Sequence, residues 1–259
     1  MRNNSTWAPS LPSPTNWPRQ AWNPLLTGLV FVSVVILFLA ASFFYVFVAT
    51  ANGWIDPRHA ADAPPTQQVI LQLVGFAPVT VFLLLALPTL ARMPLRELGF
   101  RAPTPRDVRI ALSAALAMVL LVNGLGTLIS GFLHRNDTEQ AILLLHQMKT
   151  PFQQLLFFSL ACVFAPFYEE LTFRVFIFNA LSRYLPVWIA ILISATIFGL
   201  LHAVSDSTSP LLTVALPLTV GGIVLAYVYS VTKCFWANVI THAVFNSVSV
   251  ASFYVFHLK

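Results

Sequence analysis

Three stretches of this chain hold ionisable or amide side chains where apolar ones are the rule. The first is Glu169-Glu170 with Arg174, in FSLACVFAPFYEELTFRVFIFNAL, which has no other charge. The second is His202, at the end of PVWIAILISATIFGLLH. The third is His242 with Asn246, in FWANVITHAVFNSVS. A carboxylate, imidazoles and an amide are what general acid–base hydrolysis uses: a base to take a proton from water, and donors to hold the negative charge that develops. Glu169, His202 and His242 are equally a Glu/His/His set of the kind that binds zinc with one position open. No H-E-x-x-H is present.

Spacing separates the two acids. Glu170 and Arg174 are four residues apart, so on a helix they share a face in the favourable acid-before-base order. That pair reads as structural. Glu169 is turned about 100° away and is left to face something else. His242 and Asn246 also share a face, whereas a lone histidine such as His202 is more commonly a satisfied core residue. A charge at the centre of a bilayer costs about 2.5–3.5 kcal/mol on insertion scales. The acids would escape it if their helix ended at the interface. Yet Pro151 to Phe167 gives only about 25 Å of helix, short of a hydrocarbon core of roughly 30 Å. We therefore expect one helix from about Pro151 to Leu181, kinked but not ended at Pro166, with the acids inside the protein. Glu169 then lies roughly 22 Å from the turn at Arg183–Pro186, and His202 roughly 24 Å from it along the next helix. His242 lies only about 11 Å past the Lys233 turn. The mismatch must be absorbed by tilt, an earlier helix start or a staggered turn.

The elements that position these groups are apolar helices. The chain has 259 residues, 58% of them hydrophobic and 9% charged, with a mean hydropathy of +0.78. Soluble domains carry roughly 25% charged residues, so a soluble enzyme is excluded, as are a disordered chain and a collagen-like fibre. The fold class is all-α: a polytopic transmembrane bundle of seven to eight spans. The apolar runs are 25–49, 69–90, 110–133, 152–167, 187–201, 211–229 and 235–256. The first ends in Ala49-Thr50-Ala51, which looks like a signal-peptidase site. At 25 residues it is too long for a secretory core of roughly 7–15, so it reads as a retained span. Residues 1–24 read as a polar, flexible arm with Trp17 and Trp22 at the membrane interface. Residues 25–109 read as a transmembrane hairpin with an Arg-rich loop, and 110–259 as the core, with the motifs in 151–250.

The net charge of +5 speaks of orientation. With the N-terminal side called inside, that side holds Arg2, Arg19, Arg92, Arg96, Arg101, Arg106, Arg109, Arg174, Arg183 and Lys233. The other side holds Arg58, Arg135, Lys149 and Lys259. This bias places the N-terminus in the cytoplasm, in the plasma membrane of a cell. The 92–109 loop reads as a topology signal that also meets lipid headgroups. There is no Lys/Arg run for nucleic acid. Cys162 and Cys234, with no C-x-x-C, read as small buried hydrophobes. Two sequons, at Asn3 and Asn136, carry no weight by themselves.

In this order the motifs resemble a known family. Glu169-Glu170-Leu171-Thr172-Phe173-Arg174 matches E-E-x-x-x-R, Phe198-Gly199-Leu200-Leu201-His202 matches F-x-x-x-H, and His242-Ala243-Val244-Phe245-Asn246 matches H-x-x-x-[ND]. Together they resemble the type II CAAX prenyl endopeptidases, the CPBP or Abi family of intramembrane proteases. Leu98-Gly99-Phe100-Arg101 is similar to a weaker feature of that family. The resemblance implies a peptidase in which Glu169 is the general base, His202 helps it to activate water, and His242 and Asn246 hold the oxyanion. Glu170, Arg174 and Phe198 would be structural support. It implies a peptide or lipidated-protein substrate, by CAAX-type or leader-peptide processing, and a membrane lipid environment. A metal is not favoured; if zinc is bound, Glu169, His202 and His242 are its ligands. The rivals are a non-catalytic scaffold or immunity-type protein of the same fold, and a proton-coupled transporter. The cavity is expected to open on the side of the short turns at Arg183 and Lys233.

Overall fold

The computed structural model describes residues 22–58, 63–134, 140–205 and 211–257. Among them are eight helices and no strand: α1 (Pro24–Ala51), α2 (Pro65–Ala91), α3 (Pro105–Phe132), α4 (Gln140–Gln147), α5 (Pro151–Ser182), α6 (Val187–Ser205), α7 (Leu211–Thr232) and α8 (Phe235–His257). Six of these, α1, α2, α3, α5, α6 and α7, are long and apolar enough to cross a membrane. All seven apolar runs thus form helices. The seventh, α8, is a full helix but is not among those six.

Local signals set the starts. Pro24, Pro65, Pro105 and Pro151 each open a helix, where a missing N–H costs nothing and φ is already set. Asn23 caps α1 through its side-chain oxygen. Thr104 with Asp107, and Thr150 with Gln153, form reciprocal capping boxes on α3 and α5.

Helix α1 packs mainly on α2 and turns Leu25, Phe43, Phe44 and Phe47 outward. Lipid-facing apolar residues are expected for a span and need no aqueous rationale. Helices α6 and α7 form the closest pair. A Cβ on Gly199 of α6 would fall 2.5 Å from the Ala215 carbonyl oxygen of α7 and 2.8 Å from the Thr219 nitrogen. Only glycine permits that approach, the usual device of helix pairs in membranes.

Trp22 is not an interfacial residue. It is 1% exposed and packs with Phe176, Leu87 and Leu98 in the largest core cluster. Its backbone N–H donates to the Leu90 carbonyl, its own carbonyl accepts from the Tyr184 hydroxyl, and its ring stacks on Phe176. The expectation treated tryptophan near a span as an interface anchor; here a left-handed turn at Trp22 (φ 68°) folds the ring inward. Trp17, the rest of the arm and both sequons lie outside the described residues.

The Leu98–Arg101 stretch is a staple. Gly99 has φ +104°, its carbonyl accepts from the Phe235 N–H at 2.9 Å, and the Leu98 carbonyl accepts from the Tyr229 hydroxyl. Arg101 donates to the Thr232 carbonyl and pairs with Asp107, both at 2.7 Å. The segment between α2 and α3 therefore grips the turn from α7 to α8 and fixes where α8 begins.

Candidate active site

Helix α5 runs unbroken through Glu169, as its length required, but it is not uniformly α. Residues Leu160–Phe164 and Leu171–Phe178 form wide turns with i→i+5 bonding, a feature common at functional sites. The first has a local cause. The Ala165 N–H bonds back to the Leu160 carbonyl. The next bond of that ladder would run from residue 166 to Ala161, and Pro166 has no N–H to give. The freed Ala161 carbonyl accepts instead from the Asn246 amide of α8, at 2.7 Å.

Glu169 and Glu170 face different partners, as their spacing demands. Glu170 is fully buried, ion-paired with Arg174 and hydrogen-bonded to His242 and Asn238. The Arg174 Nε lies 3.1 Å from Oε2, the His242 Nδ1 lies 2.8 Å from Oε1, and the Asn238 amide also donates to Oε2. Arg174 is 1% exposed. Its guanidinium lies over the Phe198 ring, 4.8 Å from the centroid, and reaches the Gly222 carbonyl. Phe198 also packs against both imidazoles, with centroids 4.4 Å from His202 and 6.0 Å from His242. A buried cation is thereby neutralised by a carboxylate and cushioned by a ring face.

Glu169 meets the two histidines. Its Oε1 lies 3.7 Å from His202 Nε2 and its Oε2 lies 3.6 Å from His242 Nε2. The outer nitrogens of both rings are committed. His202 Nδ1 lies 2.8 Å from the Phe198 carbonyl oxygen, and His242 Nδ1 lies 2.8 Å from the Glu170 carboxylate. Both partners can only accept, so both Nδ1 atoms carry hydrogen. Each Nε2 therefore points at Glu169 as a lone pair when its ring is neutral, and as a donor when its ring is charged.

Two observations bear on a metal. Locked Nδ1 atoms are what metal-bound histidines carry, so the donor chemistry suits zinc. The imidazoles nevertheless address different oxygens of one carboxylate instead of one shared point. No group of three or more His, Cys, Asp or Glu side chains among the described residues is arranged to hold a metal ion.

The structure thus brings together Glu169, His202, His242, Glu170, Arg174 and Phe198. Asn246 lies one turn beyond His242, with its amide on Ala161. The feared depth mismatch is taken up. Helix α5 is 32 residues long, about 48 Å as regular helix and far more than a roughly 30 Å core, so it tilts or protrudes. Its end at Ser182 is a poor marker of depth. Exposure is graded: the side chains of His242, Glu169 and His202 are 5%, 12% and 33% exposed. The most exposed of the three is thus His202, three residues before α6 ends. Sequence reasoning missed Asn238. Its signal was its position four residues before His242, on the same face.

No curated protein and no solved structure matches the chain. One family does: residues 151–248 match type II CAAX prenyl endopeptidase Rce1-like, a segment that takes in α5, α6, α7 and α8 as far as Val248. Glu169, Glu170, Arg174, Phe198, His202, His242 and Asn246 all lie within it, so the segment that matches this family is the one that builds the centre.

Proposed function

We propose that this protein is an intramembrane endopeptidase that cleaves a peptide bond with water activated by Glu169. The observation that carries the reading is the pairing of each Glu169 oxygen with one imidazole Nε2, at 3.7 and 3.6 Å. Water held between Glu169 and His202 gives a proton to the carboxylate as its oxygen attacks the scissile carbonyl carbon. The carbonyl oxygen takes up the electron pair and is held by His242, through an Nε2 proton, and by Asn246 once its amide turns from Ala161. Glu169 then passes its proton to the amide nitrogen as the C–N bond breaks, leaving a free carboxylate and an amine. Glu170 fixes the orientation of the His242 ring. No metal is required by this scheme. The substrate is a membrane-proximal peptide, either a lipidated CAAX protein or a leader peptide, met in the plasma membrane by a protein whose N-terminus is cytoplasmic.

The test is cleavage of a panel of farnesylated CAAX and unmodified transmembrane peptides by purified protein, with and without a strong chelator. Loss of cleavage in Glu169→Gln with full activity in chelator is expected. Loss in chelator with rescue by zinc would make Glu169, His202 and His242 ligands. Equal cleavage by Glu169→Gln and wild type would refute the assignment of the base.

A further inference from the structure

A groove of about 740 Å³ lies between α3 and α7, and none of its lining residues belongs to the Glu169 centre. Its walls are apolar below, with Ala117 from α3 and Ile223 from α7. At its mouth stand Arg106, Arg109 and Ser113 of α3, with Tyr227 of α7 opposite. Arg106, Arg109 and Ser113 are three and four residues apart, so they share one helical face. Both arginines are exposed. Asp107, the acid between them in sequence, is turned away: it is 4% exposed and bound to Arg101 and Thr104. The groove thus has a cationic, hydrogen-bonding mouth on an apolar trough. It sits at the end of the bundle that carries the Arg-rich segment.

We propose that this groove binds one anionic phospholipid, with its phosphate between Arg106 and Arg109, its headgroup near Ser113 and Tyr227, and an acyl chain along Ala117 and Ile223. Charge complementarity selects the occupant. A basic mouth between two spanning helices suits a phosphate; a zwitterionic lipid offers the same phosphate but sets a choline cation beside the two guanidiniums, which an anionic lipid does not. The long apolar trough selects a lipid over a free anion. A second copy of the chain would bring this basic face against another. The site is separate from the Glu169 centre and does not depend on its chemistry.

The test uses native mass spectrometry of the full-length protein in detergent, titrated with dioleoyl phosphatidylglycerol, dioleoyl phosphatidylcholine or inorganic phosphate. Wild type is expected to retain one phosphatidylglycerol in preference to phosphatidylcholine. Arg106→Gln with Arg109→Gln should weaken that retention by roughly thirtyfold, on the usual contribution of two basic residues at a lipid surface. Arg92→Gln with Arg96→Gln removes the same charge from the same segment and should leave it unchanged. Ala117→Leu fills the trough without touching charge and should also release the lipid. Equal loss in both double variants would overturn the site. So would equal retention of the two lipids, phosphate binding without lipid retention, or a dimer in place of a lipid adduct.

Discussion

Asn246 faces two demands on one amide. The proposed chemistry asks it to hold an oxyanion, while the Pro166 gap asks it to satisfy the Ala161 carbonyl. The demands can be separated. Asn246→Ala should lose about 1–3 kcal/mol of stability, the usual consequence of stranding a buried acceptor. Pro166→Ala restores an N–H to α5, so in that background Asn246→Ala should cost little. Thermal or denaturant midpoints of the four proteins measure the coupling directly; purely additive effects would disprove the prop. Cleavage should stay impaired in the double variant if the amide also serves the oxyanion. Arg174 makes a simpler case. Arg174→Met leaves Glu170 buried without its cation and should cost about 3–5 kcal/mol, read from the same midpoints. Replacing Glu170 by Gln as well should recover much of that loss. Motif residues were legible because charge in an apolar run is expensive and therefore conspicuous. Asn238 was not legible, because an uncharged amide in a helix carries no such penalty signal, and its carboxylate partner lies 68 residues away.

The elements were legible where apolar runs and prolines mark them, and illegible where irregularity does the positioning. Nothing in LACVF announces an i→i+5 turn until the missing Pro166 N–H is traced back to Ala161. The staple at Leu98–Arg101 was visible only as a motif. Its purpose appears when the Gly99 carbonyl is seen holding the Phe235 N–H, since α8 begins there and carries His242. Arg101→Ala should therefore reduce activity and stability together, by about 1.5–3 kcal/mol for charged hydrogen bonds. A Gly99→Val protein should be worse, because its Cβ would meet the Phe235 nitrogen at 3.0 Å and φ +104° is strained for any L side chain. The same turn holds Lys233, in the left-handed conformation, with Phe178 and Tyr229 rings each 5.8 Å from its ammonium. Burial pushes its pKa down to about 8. The unfolded chain, with an ordinary lysine near 10.4, binds more protons between these values, so stability should rise with pH from about 8 towards 10. Below pH 8 the full penalty is present. Lys233→Met should flatten that rise in a pH series of unfolding midpoints; an unchanged slope would show that the ammonium is solvated.

At the scale of the whole molecule, the matched segment 151–248 contains the site, and the helices before it act as frame. Phe76 of α2 stacks on Tyr168, next to Glu169, with centroids 4.0 Å apart, and α3 packs along α8. The overall bundle was readable from composition alone. The fate of α8 was not, because Asn238, Thr241, His242 and Asn246 dilute its apolar character. Geometry supplies what hydropathy does not. His242 meets Glu169 at 3.6 Å, and Glu169 lies near the middle of a 32-residue span. From His242 the helix continues to His257, a further 22 Å or so, and so carries the chain from mid-membrane to the face opposite its start. Phe235, where it starts, is bonded to the Gly99 segment, on the side where α2 ends. We therefore expect α8 to make a seventh crossing beyond the six apolar spans, with the start of α1 and the end of α8 on opposite sides. Paired reporters, one active only in the cytoplasm and one only outside it, fused in turn to each end of the intact chain should give opposite answers. Matching answers would mean that α8 turns back within the membrane, in which case the face from which substrate reaches Glu169 would have to be reassigned.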